Sequence, residues 1–239
     1  MKLALDLTTA AAIRAVVGPP EPDPVELALL ATRAGADVIG VNVKGERSYI
    51  GERDCLLLRD VLKVPFILKI STSNELVKFA VSLKPAAVVL LPERREDLPL
   101  EDGLDVVLNQ TQVKRAQMML RESGIDVAAF INPSIDQIKS CHKLDIARVE
   151  LNTLKFAESG REEDLQVLRE CARLAHKLNL QTWAGRGLTA ASMRRLAGIP
   201  ELDELHIGRL FFARAIIDGI GPAVVGLKSL IDRAAARPA

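Results

Sequence analysis

Eight times along the chain, a short run rich in β-branched and apolar residues gives way to a longer segment of helical period. The runs are KLALDL (2–7), DVIGVNV (37–43), PFILKI (65–70), AAVVLL (86–91), DVAAFI (126–131), ARVELN (147–152), LQTWA (180–184) and DELHIG (203–208). The helical segments that follow them span 24–34, 53–62, 73–84, 112–123, 134–144, 162–178, 189–198 and 209–233. Strands that read as nearly continuous apolar runs are buried on both faces, the condition of parallel strands joined by crossover helices. Eight βα units in 239 residues, with no linker between them, predict a single (β/α)8 TIM barrel with residues 1–239 as one domain. No Gly-x-Gly-x-x-Gly follows the first strand, so an open dinucleotide-binding sheet lacks its main signature. The stretch LPERREDLPLEDGLDVVLNQ (91–110) is too long for a simple connection and reads as an elaborated loop after strand four, over the face where barrels keep their chemistry.

Composition narrows the partners. Lys and Arg total 32 against 31 Asp and Glu, and the chain is 49% hydrophobic, which speaks against disorder and against a globally basic nucleic-acid surface. One Trp and one Tyr offer no stacking platform for single strands, so no nucleic acid is expected. No apolar run approaches the ~20 residues of a membrane span, and Asp6 and Arg14 interrupt the N-terminal apolar stretch where a signal core would stand. The expectation is a cytoplasmic protein with no membrane partner. Cys55, Cys141 and Cys171 form no C-x-x-C pair and read as buried thiols.

In a barrel the reactive groups gather at the carboxyl ends of the strands. By that rule the candidates are Asp6 after strand one, Asn42, Lys44 and Arg47 after strand two, and Lys69 at the end of strand three. Glu93, Arg94 and Arg95 follow strand four, Asn132 follows strand five, and strand six brings Glu150, Asn152 and Thr153. Arg186 follows strand seven, and His206 and Arg209 bracket the end of strand eight. Lys69 in FILKIS and Glu150 in RVELNT stand out, because a charge inside an apolar strand is costly unless it is paired or faces a polar cavity. A structural ion pair at the mouth is the plain alternative for both. Cations outnumber anions in this set, which points to an anionic small-molecule substrate.

The segments AGRGLT and HIGRLF repeat one device at consecutive strand ends. Gly185, Gly187 and Gly208 let the backbone approach an anion before a helix begins, and Arg186 and Arg209 add charge-assisted contacts. The loops after strands seven and eight are a common phosphate site in barrels, so a phosphate is expected there.

Several longer pieces, in order and at their spacing, resemble the pyridoxine 5'-phosphate synthase family. They are PDPVELALLATRAGAD (22–37), ERSYIGERDCLLLRDVL (46–62), LKPAAVVLLPERRED (83–97), EDGLDVV (101–107), AGRGLT (184–189) and IPELDELHIGR (199–209). The resemblance implies a (β/α)8 barrel that condenses 3-amino-1-hydroxyacetone 1-phosphate with 1-deoxyxylulose 5-phosphate to close the pyridine ring of vitamin B6. It also implies a homo-oligomer, an octamer built from dimers; surplus apolar residues in AIIDGIGPAVVGLKSLIDRAA (215–235) suggest assembly as well, with burial against a neighbouring barrel helix as the alternative. The family's catalytic pattern is altered here. Its Asn-x-Asp-His after strand one is reduced to Asp6; its strand-two His-x-Arg is Asn42 and Lys44, with Arg47 retained and Tyr49 at a later histidine; and its strand-three glutamate is Lys69. Its strand-six His-Thr is Asn152 and Thr153 with Glu150 retained, and its histidines after strands seven and eight are Arg186 and Arg209.

Three readings follow. In the first, the chain makes pyridoxine 5'-phosphate or a close analogue, with Glu150 and Asp6 as acid/base groups, His206 replacing a lost proton shuttle, and Asn42, Lys44, Arg47, Thr153, Gly185, Arg186, Gly187, Gly208 and Arg209 holding substrate phosphates. In the second, Lys69, activated by burial among Lys44, Arg186 and Arg209, forms a Schiff base with a phosphoketose. In the third, the barrel binds a phosphometabolite or a protein without turnover. His142 and His176 fall on outer helices, so no metal is expected, and no organic cofactor either.

Overall fold

A computed structural model describes residues 1–45, 48–93 and 102–235. Its strands are β1 (Lys2–Asp6), β2 (Val38–Asn42), β3 (Phe66–Ser71), β4 (Ala87–Leu91), β5 (Asp126–Ile131), β6 (Arg148–Asn152), β7 (Gln181–Gly185) and β8 (Glu204–Ile207). They pair in parallel in chain order and close by β1 against β8, with Ala4 opposite His206, so the chain forms a (β/α)8 TIM barrel.

Side chains alternate across each strand, which separates two buried sets. Leu3, Leu5, Ile39, Val41, Leu68 and Leu90 belong to the shell under the helices. Ala4, Val38, Ile67, Ala87, Val89, Ala128, Phe130 and Trp183 form a smaller cluster inside the barrel. The three alanines offset the rings of Phe130 and Trp183, so the interior packs without crowding. Two residues further along β3, Ile67 is succeeded by Lys69, and the inward positions of β6 and β8 include Glu150 and His206. The polar floor of the mouth is therefore a matter of strand parity.

The helices are α1 (Thr8–Val17), α2 (Pro24–Arg33), α3 (Glu52–Val61), α4 (Asn74–Leu83), α5 (Gln110–Glu122), α6 (Ile135–Lys143), α7 (Leu154–Ser159), α8 (Glu162–Lys177), α9 (Ala190–Leu196), α10 (Arg209–Asp218) and α11 (Ile220–Ala235). Local chemistry sets many of their ends. Asp23 Oδ1 accepts from the Val25 amide at 2.8 Å while Pro24 opens α2 with its φ already helical. α8 begins on Glu162, Glu163 and Asp164 and ends on His176 and Lys177, each charge favourable at its end of the helix dipole.

Three departures from the sequence expectation have local causes. The stretch after β1 forms α1, which Arg14 ties to α3 by donating to Asp54 at 3.2 and 2.5 Å. The turn after β6 contains α7, ended by Gly160 in the left-handed region. The single helix expected over 209–233 breaks at Gly219, whose φ of +85° is left-handed, giving α10 and α11.

The loop after β4 returns onto the barrel mouth at Gly103. Its amide donates to Asn132 Oδ1 at 2.9 Å, and the Leu104 amide donates to the Phe130 carbonyl at 2.6 Å. Asn132 Oδ1 also accepts from Asn152 Nδ2 at 2.9 Å, so this loop, β5 and β6 are joined through one amide. All three cysteines are buried; burial pushes the Cys55 and Cys141 thiols up to about 12 and Cys171 to about 11, leaving them un-ionised. Among the described residues no helix is long and apolar enough to cross a membrane.

Candidate active site

A cavity of about 540 Å³ opens at the carboxyl end of the barrel. Asp6, Asn42, Lys44, Lys69, Glu150 and His206 stand in its wall, and Arg186, Gly187, Gly208 and Arg209 close the opposite side. Eight strands thus bring together residues separated by up to two hundred positions. Arg47, Arg94 and Arg95 lie outside the described residues.

The floor is an ion pair and an imidazole. Lys69 Nζ donates to both Glu150 oxygens, at 2.7 and 2.8 Å, and His206 Nδ1 lies 3.3 Å from Glu150 Oε2. Glu150 is 2% exposed and Lys69 8%, so the pair is shielded from water. Burial, the largest single influence, drives the Glu150 carboxyl up; Lys69, His206 and Arg186 together outweigh it and hold it below the usual carboxylate range. The sequence left Lys69 either activated among cations or paired with a carboxylate. The structure gives it a carboxylate as its immediate neighbour, because β3 and β6 face each other across the barrel interior.

Gly185 is what lets Glu150 sit there. A Cβ at this position would lie 2.7 Å from Glu150 Oε1 and 3.0 Å from His206 Cβ. It therefore stands behind the carboxylate and not in the cavity wall. Thr153 also stands behind the wall: it is fully buried and its hydroxyl faces the carbonyls of Gly185 at 2.9 Å and Arg186 at 2.6 Å. Those contacts restrain an unusual turn, since Arg186 has φ +85° and Gly187 φ +70°. A left-handed non-glycine residue costs about 1–2 kcal/mol, so surrounding contacts must hold it. Here they aim the Arg186 side chain over the cavity.

The two helices beside the cavity are not equivalent. At α9 the Ser192 amide is already taken by Thr189 Oγ1 at 3.2 Å, within a reciprocal cap. At α10 no side chain caps the N-terminus, and Gly208, Arg209 and Leu210 all border the cavity. The amides of that first turn are the better anion cradle. Asp6 Oδ1 accepts from the Thr8 amide at 2.9 Å, and the Thr8 hydroxyl accepts from the Asn42 amide at 2.8 Å, fixing the β1–β2 side of the rim. Asn42 Oδ1 is buried without a hydrogen-bond partner.

Two residues of this site escaped the sequence reading. Trp183 stacks on His206 with ring centroids 4.9 Å apart and an interplanar angle of 24°. Glu204, 6% exposed, lies below the same ring. Strand parity was the available signal: Glu204 shares the face of His206, two residues on, and Trp183 that of Gly185.

Comparison with known proteins identifies the family and the fold. The curated pyridoxine 5'-phosphate synthase of Syntrophobacter fumaroxidans is 37% identical over 235 residues, covering 97% of this chain and 99% of its own. That of Desulforapulum autotrophicum is 34% identical over 234 residues, covering 96% and 98%. Solved structures share the fold at low identity. KGPDC from Streptococcus mutans superposes with a TM-score of 0.68 at 12% identity, covering 97% of each chain. A mutant tryptophan synthase α-subunit from Pyrococcus furiosus gives 0.63 at 15%, covering 99% and 98%. The family model described as pyridoxal phosphate biosynthesis protein PdxJ matches residues 3–233, and with relatives this similar along nearly their whole length, the chain belongs to the PdxJ family.

Proposed function

We propose that this barrel works in vitamin B6 biosynthesis as a pyridoxine 5'-phosphate synthase, closing the pyridine ring from two phosphorylated keto and amino-keto substrates. The observation that carries the reading is the buried Glu150 carboxylate, held between Lys69 and His206 opposite the uncapped α10 N-terminus. Ring closure by condensation needs a proton removed beside a carbonyl and a proton delivered to a departing hydroxyl. Glu150 is placed for the first, and the Lys69 ammonium for the second and for developing negative charge on a carbonyl oxygen. While Lys69 and Arg186 face it, Glu150 is a weak base; a substrate oxygen or phosphate that draws those cations away makes it a stronger one. Arg186, Arg209 and the first amides of α10 hold one phosphate, and Lys44, Arg47 and Asn42 hold the second. Asp6 borders both.

The test is product formation by purified protein from 3-amino-1-hydroxyacetone 1-phosphate and 1-deoxyxylulose 5-phosphate, beside Arg186→Ala. Turnover that Arg186→Ala reduces mainly through a raised KM supports the proposal. Binding of both substrates with no product would identify a non-catalytic phosphometabolite-binding barrel instead.

One observation favours a second reading. Lys69 presents a primary amine to the cavity with a carboxylate 2.7 Å away, the pairing that Schiff-base chemistry uses to move protons while a carbonyl and an amine condense with loss of water. Borohydride reduction that fixes a phosphoketose to Lys69 would establish it; absence of any adduct would exclude it.

Assembly into a homo-oligomer belongs to the same proposal. Val16 and Val17 at the end of α1 are 87% and 72% exposed, and Ile216 and Ile217 at the end of the adjoining α10 are 77% and 76% exposed. These four large exposed apolar side chains, on two helices that contact each other, suit burial against a second copy of the chain, and the family resemblance points to an octamer.

A further inference from the structure

His206 lies between two buried carboxylates on successive inward levels of the barrel. Nδ1 is 3.3 Å from Glu150 Oε2, and Nε2 is 3.4 Å from Glu204 Oε2. Both Nε2 and Glu204 Oε2 are fully buried, and neither has an aligned hydrogen-bond partner. The two atoms lie 3.4 Å apart, within reach of a hydrogen bond once the ring or the carboxylate turns slightly. The Trp183 ring, stacked on the imidazole, limits its rotation. Among the described residues, Glu150 and Glu204 are the charged groups within ion-pair distance of the imidazole. Lys69 and Arg186 reach Glu150 from above, Lys2 Nζ lies 3.6 Å from Glu204 Oε1 below, and Asp6 borders the cavity.

We propose that Glu204 is a positioning residue: it holds His206 with Nε2 protonated, so that Nδ1 exchanges a proton with Glu150 during turnover. A neutral imidazole carries one proton, and of the two carboxylates Glu150 already accepts from Lys69 with both oxygens while Glu204 Oε2 has no donor, so the proton goes to the nitrogen that faces Glu204. The neutral ring then has its lone pair on Nδ1, toward Glu150. When Glu150 has taken a proton from substrate, that proton passes from its Oε2 to Nδ1, leaving a carboxylate and an imidazolium; the reverse transfer restores the acid. No proton is gained or lost overall. The arrangement repeats the logic of a catalytic triad, in which a buried acid selects the tautomer of the histidine that does the exchange. The mechanistic half rests on the synthase reading above, while the tautomer does not.

The test uses the full chain labelled with 15N-histidine, with His206 distinguished from His142 and His176 by comparison with His206→Asn. Imidazole 15N spectra report which nitrogen is protonated. The neutral ring of the native protein should be the Nε2–H tautomer. In Glu204→Met, which removes the acceptor and keeps the volume, it should change to Nδ1–H, now donating to Glu150. A native ring in the Nδ1–H form, or a tautomer unchanged by Glu204→Met, overturns the proposal, as does a doubly protonated ring at every accessible pH in both proteins. Should Glu204→Met not fold, the native tautomer still decides. In product formation Glu204→Met should lower kcat about tenfold or more with KM within about twofold, and Glu204→Gln, which offers a carbonyl acceptor, should recover most of it. A native protein that forms no product fails the synthase reading and leaves the tautomer result standing.

Discussion

Lys69 and Glu150 are the residues on which most else in the site depends. Removing one partner of a buried pair costs far more than the pair contributes, because it leaves an uncompensated charge in the barrel. Lys69→Met should therefore destabilise the protein by about 3–5 kcal/mol, read from urea unfolding. The pair also sets an acid limit. A carboxyl held below its unfolded value, about 4.3, contributes stability that is present above that value and lost as pH falls through the lower folded one. Native protein should thus lose stability steeply below about pH 4, and Glu150→Gln should show a shallower loss over the same window in acid-unfolding curves. Both charges were legible in the sequence as anomalies within apolar strands. Their pairing was one of the alternatives the sequence left open, since 81 residues separate them and only the closed barrel brings the side chains within 2.7 Å.

At the scale of elements, the decisive features are turns. Gly103 brings the loop after β4 so close to β5 that a Cβ would lie 2.3 Å from the Asn132 nitrogen and 2.4 Å from the Ile131 carbonyl carbon. Those are backbone atoms and cannot swing aside. Gly103→Ala should cost roughly 1–3 kcal/mol and raise hydrogen exchange at the Gly103 and Leu104 amides, as the loop lifts from the barrel. The sequence marked this segment as an elaboration and its GLDV piece as a family signature, but nothing local distinguishes a glycine needed for close approach from one in a simple turn. The break of the final helix at Gly219 is a similar case: helical period continues through 209–233, and the left-handed φ interrupts it. The unequal ends of α9 and α10 were equally hidden, because a Gly-Arg pair stands near both starts, yet α10 opens on its arginine while α9 begins later, behind the cap at Thr189.

For the whole molecule, the apolar ends of α1 and α10 lead to a prediction about assembly. The double variant Val17→Asp/Ile216→Asp places two like charges on these helix ends, and sedimentation should show a smaller species than the native protein under the same conditions. An unchanged sedimentation coefficient would mean that this surface joins no copies of the chain. The surface itself became visible only when α1 formed, since the sequence reading left residues 8–23 without an element.

The eightfold alternation and the apolar character of the strands were enough to imply a closed parallel barrel, because both are local patterns whose burial demands have few common solutions. Strand-end position likewise marked most of the cavity wall, from Asp6 to Arg209, since barrels carry their polar residues there. What the chain pattern left open was mutual arrangement: Lys69 beside a carboxylate, Thr153 and Gly185 behind the wall, Glu204 beneath His206. Those relations depend on strand register and on inward parity around a closed sheet. Each is long-range, and a single slip of one residue would exchange the inward set for the outward one.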